Sequence, residues 1–186
     1  MRIIAGEAKG RTLYAPQGAQ TRPTSDKIRG SIFNILGARV PGARVLDLFG
    51  GSGALALEAL SRGAETAAIA DSSRAAVQAI ERNARAVLKD RFEARCRVLK
   101  ADYRAALAQL AGESFDLVFL DPPYRMLEAY GDALDRLLAA GALAADCVIV
   151  LERMKAAKVP LPERFAVTDT RVYGDTAVDF AQVRDI

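Results

Sequence analysis

A chain of 186 residues and 19.9 kDa, 51% hydrophobic and 26% charged, with mean hydropathy +0.08 and net charge +3, has the balance of one globular domain and not of a disordered segment. It contains no histidine, which removes Ser-His-Asp and Cys-His nucleophile systems, imidazole general bases and His-ligated metals; its two cysteines, Cys96 and Cys147, form neither a CxxC pair nor a disulfide framework. No stretch approaches the ~18 apolar residues of a membrane span and the opening apolar run is too short for a signal peptide, so a soluble cytoplasmic protein is expected, its chemistry supplied by carboxylates, Lys, Tyr, hydroxyls, backbone groups or a bound cofactor.

Short apolar runs at 2–5 and 11–14, separated by Gly6–Gly10, predict a small hairpin. Pro16, Gly18 and Pro23 mark a loop. Thr24 or Ser25 can then cap a helix that carries Ile28, Ile32, Ile35 and Leu36 on one face, with Gly37, Pro41 and Gly42 to end it. Residues 1–39 hold seven basic and two acidic residues, which leaves the rest of the chain slightly negative. Such an arm points to a phosphate-rich partner, and the same charges also suit a solvated face.

From Arg44 the texture changes. Val45–Phe49 is a predicted strand, Gly50–Gly53 a turn, and Ala54–Arg62 a helix stopped by Gly63. Further strands follow at Thr66–Ala70, Arg97–Lys100, Phe115–Leu120 and Cys147–Leu151, with helices at Ser73–Leu88, Tyr103–Leu110 and Leu127–Ala140 between them. Two alternating strands, Phe165–Tyr173 and Ala177–Val183, close the chain around a Gly174-Asp175 turn. Strands alternating with helices imply an α/β fold, a mostly parallel sheet with helices on both faces, and the closing hairpin adds an antiparallel strand. Residues 1–39 read as an appendage on a body spanning 40–186, because so short a segment without Cys or metal does not fold alone.

Four motifs carry chemistry. Asp47-Leu48-Phe49-Gly50-Gly51-Ser52-Gly53 is a strand end, a Gly-rich turn and a helix start, the edge of an α/β sheet where ligands bind. The glycines alone also fit a dinucleotide. Asp47, however, would repel a pyrophosphate and suits a cofactor with a cationic amino-acid head. Asp71 ends the next strand, where an acid can accept both hydroxyls of a ribose or cap the following helix. Asp102 ends the third and can accept an adenine amino group or cap its own helix. Asp121-Pro122-Pro123-Tyr124 ends the fourth. Two prolines hold that backbone extended. Asp121 and the carbonyl of Pro122 can both accept hydrogen bonds from one NH₂ group, while Tyr124 offers a flat face to a ring, an arrangement suited to the exocyclic amine of a flipped base.

These ordered motifs resemble those of S-adenosylmethionine-dependent amino-methyltransferases. The opening Met1–Gly6, the run from Arg22 to Arg29, Phe33-Asn34 and the late Tyr173–Thr176 are similar to the bacterial 16S ribosomal RNA guanine-N2 methyltransferase D family. Asp71 stands where that family usually has Glu, Gly50 where Ala is common, and Ser73 where Asp is common. The resemblance implies a Rossmann-like, seven-stranded methyltransferase fold and S-adenosylmethionine as the cofactor, with no metal. It implies a cofactor site at Asp47, Phe49, Gly50, Gly51, Ser52, Gly53, Asp71, Asp102 and Tyr103, and catalysis at Asp121, Pro122 and Tyr124. The expected partner is 16S ribosomal RNA in an assembled or partly assembled small subunit, met by a monomer through Lys9, Arg11, Arg22, Thr24, Lys27 and Arg29. An adenine-N6 methyltransferase, an NAD(P) oxidoreductase and a non-catalytic RNA-binding domain are the alternatives.

Overall fold

The computed structural model describes residues 1–18 and 24–184. Its elements are α1 (Asp26–Leu36), β1 (Arg44–Asp47), α2 (Ala54–Ser61), β2 (Thr66–Asp71), α3 (Arg74–Leu88), α4 (Phe92–Arg95), β3 (Cys96–Lys100), α5 (Tyr103–Gln109), β4 (Phe115–Leu120), α6 (Glu128–Ala139), β5 (Leu143–Met154), β6 (Phe165–Tyr173) and β7 (Thr176–Val183). One seven-stranded sheet runs in the order β3-β2-β1-β4-β5-β7-β6. Strands β1 to β5 pair in parallel, and β7 lies antiparallel between β5 and β6. Among the described residues no helix is long and apolar enough to cross a membrane.

Alternation along the central strands builds two cores. Val45, Ile69, Leu117 and Phe119 face one layer with residues of α1, α2 and α3. Leu46, Ala68, Val118 and Leu120 face the other, with α5 and α6. The caps follow local chemistry: Ser25 and Ser73 accept from the third backbone N–H beyond them, which starts α1 and α3 where a Ser precedes the apolar stripe.

Some elements differ from the sequence-based expectation. The expected N-terminal hairpin is present but short: around the antiparallel bridge of Arg2 with Thr12, the Ile3 amide donates to the Arg11 carbonyl and the Leu13 amide to the Met1 carbonyl, and other amides of the segment turn to the body. The amides of Ile4 and Ala5 donate to the Glu58 carboxylate at 2.8 and 3.0 Å. Ile3 and Leu13 are buried in the same core as Val45 and Leu57. Gly6 has a left-handed backbone, and a Cβ there would collide with the Ser61 carbonyl. Strand β5 begins at Leu143 and runs to Met154, longer than its apolar stretch, because backbone pairing of Leu143 with Phe115 and of Arg153 and Met154 with β7 extends it beyond the buried residues. Helix α4 has four residues, too few for a periodic signal.

Candidate active site

Chain direction across the sheet reverses between β1 and β4. The first crossovers lead outward to β2 and β3, and the next returns to the other side of β1. The carboxyl ends of β1 and β4 therefore open a crevice, the usual ligand site of an open α/β sheet. A cavity of about 460 Å³ lies there, within the range of small-molecule sites. The turn after β1, Asp71, Asp102 and the Asp121–Tyr124 segment all line it.

The Gly-rich turn is held from several directions. Asp71 accepts from the Gly51 amide at 2.9 Å and from the Ser73 amide at 2.8 Å, so one carboxylate joins the turn to the start of α3. Gly51 has φ near +57°, and a Cβ on it would meet nothing within 4 Å; the turn leaves open space where a ligand can lie against backbone. At Gly50 an added Cβ would press on Ile69 and Ile80, which accounts for glycine where alanine is common in the resembling family. Asp102 caps α5 by accepting from Ala105 at 2.8 Å, and it also lines the cavity. Tyr103 is buried, its ring 5.5 Å from that of Phe49, and its hydroxyl turns away to donate to Asp132 at 2.7 Å. Burial, then the hydrogen bond to Asp132, pushes the Tyr103 phenol up to about 12, so it stays protonated.

The cavity is strongly acidic. Asp47, Asp71, Asp102, Asp121 and Glu152 line it, and no Arg or Lys does among the described residues. Burial raises the Asp47 carboxyl to about 7; the Phe49 amide opposes this and the nearby Asp71 charge adds to it. Asp121 is raised well above its ordinary value by burial, then by Glu152 and Asp47. Burial also raises Glu152, opposed by a hydrogen bond from the Thr24 hydroxyl at 2.6 Å. Buried carboxyls that resist ionisation are those that gain most from a cationic or donor-rich ligand.

The sequence-predicted residues gather here with specific exceptions. Thr24 lines the cavity, whereas Lys9, Arg11 and Lys27 are exposed on the arm. Arg22 lies outside the described residues. Arg29 does not serve as a phosphate contact: it is 0% exposed. Its guanidinium donates to the Arg2 carbonyl, pairs with Asp26 at 3.0 Å and lies 3.7 Å from Glu58. A charge in a basic run reads as solvated, and only the burial of α1 against α2 shows this one facing inward.

Three further residues shape the site. Met1 lines the cavity, its sulfur accepting from the Ser52 hydroxyl at 3.6 Å. Asn83, fully buried on α3, accepts from the Tyr14 amide at 2.9 Å and donates to the carbonyls of Tyr14 and Ser52 at 2.9 and 2.8 Å. One side-chain amide thus locks the N-terminal arm to the Gly-rich turn. Its signal was a polar residue within the apolar stripe Ala79, Ile80, Ala84 and Val87. Glu152 was legible as a fourth acid following an apolar run, like Asp47, Asp71 and Asp121.

An acid-lined crevice at the reversal point of a seven-stranded sheet, with the penultimate strand in the order antiparallel to the rest, defines a Rossmann-like α/β protein of the methyltransferase type. A solved structure described as "Putative methyltransferase yhhF from Escherichia coli" has this fold, with a TM-score of 0.82 and 32% identity, the match covering 98% of this chain and 97% of that one. The chain belongs to the family described as Conserved hypothetical protein 95, which matches residues 1–182. It is 38% identical over 185 residues to a Bacillus subtilis protein described as "Putative rRNA methyltransferase YlbH", covering 96% of each chain. It is 36% identical over 180 residues to the Escherichia coli protein described as Ribosomal RNA small subunit methyltransferase D, covering 95% of this chain and 87% of that one.

Proposed function

We propose that the protein transfers a methyl group from S-adenosylmethionine to the exocyclic N2 amine of a guanine in 16S ribosomal RNA of the small subunit. One observation carries the cofactor reading: five carboxylates and no Arg or Lys line the cavity among the described residues. Two phosphates of a dinucleotide would face five carboxylates there, whereas the ammonium and sulfonium of S-adenosylmethionine meet opposite charge. The RNA reading is supported by the small-subunit rRNA methyltransferase relative at 36% identity.

When bound, S-adenosylmethionine supplies an activated sulfonium methyl: the new N–C bond forms as the C–S bond breaks and its electron pair leaves with sulfur. Asp47 and the backbone of Gly51 to Gly53 hold the amino-acid end of this ligand. Asp71 receives the ribose and Asp102 the adenine amine, with Phe49 and Tyr103 forming the apolar wall. The ring of the target base rests against Tyr124. Asp121 and the Pro122 carbonyl accept from the target N2, drawing its lone pair out of conjugation and toward the methyl. Asp121 stabilises the charge that develops on that nitrogen, and its raised affinity for a proton suits it to take the one the amine then releases. Tritiated methyl transfer to unmodified small-subunit RNA or particles, followed by nucleoside analysis, tests this; label in N6-methyladenosine, or none at all, would refute the guanine reading.

Two expectations follow from the binding surfaces. Gly51→Val would fill the open space beside the turn and strain a left-handed backbone, so affinity for S-adenosylhomocysteine should fall at least about tenfold by calorimetric titration. Unchanged affinity would refute the cofactor site. The arm of residues 1–39 faces the RNA in this reading, because Ala15, Pro16, Gly18 and Thr24 bring it to the cavity mouth. Its exposed cations, Lys9, Arg11 and Lys27, offset the repulsion of an acidic site for phosphates. Neutralising all three should weaken RNA binding and lower the slope of log affinity against log salt by roughly 2–3, at ~0.7–0.9 for each phosphate left without its cation. Superimposable salt series for variant and parent would place the RNA elsewhere.

A further inference from the structure

Glu152 is a buried carboxylate to which the reading above gives no direct contact with either the cofactor or the target amine. It is 9% exposed and lines the cavity at the end of β5. The register that pairs Leu120 with Leu151 sets Asp121 and Glu152 side by side at neighbouring strand ends. Its position is held at two points. The Thr24 hydroxyl donates to Oε2 at 2.6 Å, and the Tyr130 hydroxyl donates to its backbone carbonyl. The adjacent Arg153 is committed elsewhere, to Asp179 at 2.5 Å and to carbonyls of the following loop. Asp121, the Pro122 carbonyl and Glu152 therefore present acceptors to one region, with no lining Arg or Lys among the described residues to neutralise them.

We infer that Glu152 reads the N1–H of the target base and thereby selects guanine over adenine and cytosine. This rests on the guanine-N2 reading above and extends it. The chemistry of base edges supplies the reason. Next to its exocyclic amine, guanine carries a second donor, N1–H. Adenine presents an unprotonated ring nitrogen beside its amine on either edge, and cytosine has an unprotonated ring nitrogen on one side of its own and a C–H on the other. When the amine sits on Asp121 and Pro122, the neighbouring edge position meets Glu152. Guanine gives that carboxylate a hydrogen bond; the other bases set a lone pair or a C–H against it and leave a buried acceptor without a partner from the base. Burial and the proximity of two carboxyls make the pair resist full ionisation, a cost that a donor–donor edge relieves.

The test uses 2,6-diaminopurine, which keeps the N2 amine and replaces the N1–H donor by a lone pair. Small-subunit RNA is rebuilt by ligation with this base in place of the methylated guanine, and kcat/KM is compared for the two RNAs. The wild-type protein should prefer guanine by about 10–100-fold, the discrimination of one well-placed edge contact. Glu152→Gln can turn either its oxygen or its NH₂ to the base, so the preference should collapse to within about threefold. Its affinity for S-adenosylhomocysteine should be unchanged, which reports an intact fold. Equal wild-type rates on the two RNAs would overturn the inference without any variant. A Glu152→Gln protein that kept the full preference would overturn it while leaving guanine-N2 transfer standing. Absence of any label on guanine N2 with wild-type protein and natural RNA would instead remove the functional reading itself.

Discussion

Asp121→Ala is expected to lower methyl transfer by about 10²–10³ while leaving S-adenosylhomocysteine affinity within about threefold of the parent. The expectation rests on where the residue stands. Asp121 follows the last residue of β4, two positions beyond Phe119, which pairs with Asp47, and it lines the cavity beside Glu152. The cofactor reading places the ligand on Asp47, Asp71 and the Gly-rich turn, so the loss falls on the amine alone. Removing Asp121 takes away a charged acceptor from an enclosed site and also the group best suited to receive the released proton. Single-turnover methyl transfer measured beside calorimetric titration separates the two effects. Near-normal turnover would remove Asp121 from the chemistry. A parallel collapse of cofactor affinity would move it into the cofactor site.

The largest expected effect on stability belongs to Glu58→Ala. Glu58 is fully buried on α2 and serves several partners. Its oxygens accept the Ile4 and Ala5 amides, the Arg62 guanidinium lies at 2.7 Å, and the buried Arg29 guanidinium lies at 3.7 Å. The Arg29 Nε atom has no hydrogen-bond partner among the described residues, and Glu58 is the carboxylate facing it, while Asp26 pairs with the other end of the guanidinium at 3.0 Å. Truncation would leave a buried cation with only the half-exposed Asp26 as counter-charge and two amides unsatisfied, at a cost of about 3–5 kcal/mol. For a chain of this size that lowers Tm by on the order of 10 °C. Urea or thermal unfolding of both proteins measures it; a change below about 1 kcal/mol would show that water or a shifted side chain replaces Glu58. The same carboxylate seats the N-terminal segment over α2, so the variant should also open the arm to proteolysis near Gly6.

Arg29 and Asp121 mark the limits of what the sequence made legible. Asp121 is located by its immediate neighbours. A six-residue apolar run followed by Asp-Pro-Pro-Tyr identifies a buried strand and its end, and ligands in α/β sheets gather at strand ends. Asp47, Asp71 and Asp102 were legible for the same local reason. Arg29 was misplaced because a helix with cations on several faces looks solvated from its own sequence. Its burial depends on Glu58, far along the chain on α2, and on the Arg2 carbonyl, 27 residues earlier.

By itself, then, the sequence determined the strand–helix alternation, the parallel sheet with its closing hairpin, and the acids that end the strands. Each is written in hydrophobic period, turn residues and caps within a few positions of one another. The tertiary structure decided which polar groups face inward and what they join. Glu58 and Arg29 bind the N-terminal segment to α2, Asn83 ties Tyr14 to Ser52, and Thr24 reaches Glu152 across 128 positions. A buried hydrogen bond is set by which elements pack together. Burial converts an ordinary exposed charge into a paired one, and neither partner carries a local mark of the other.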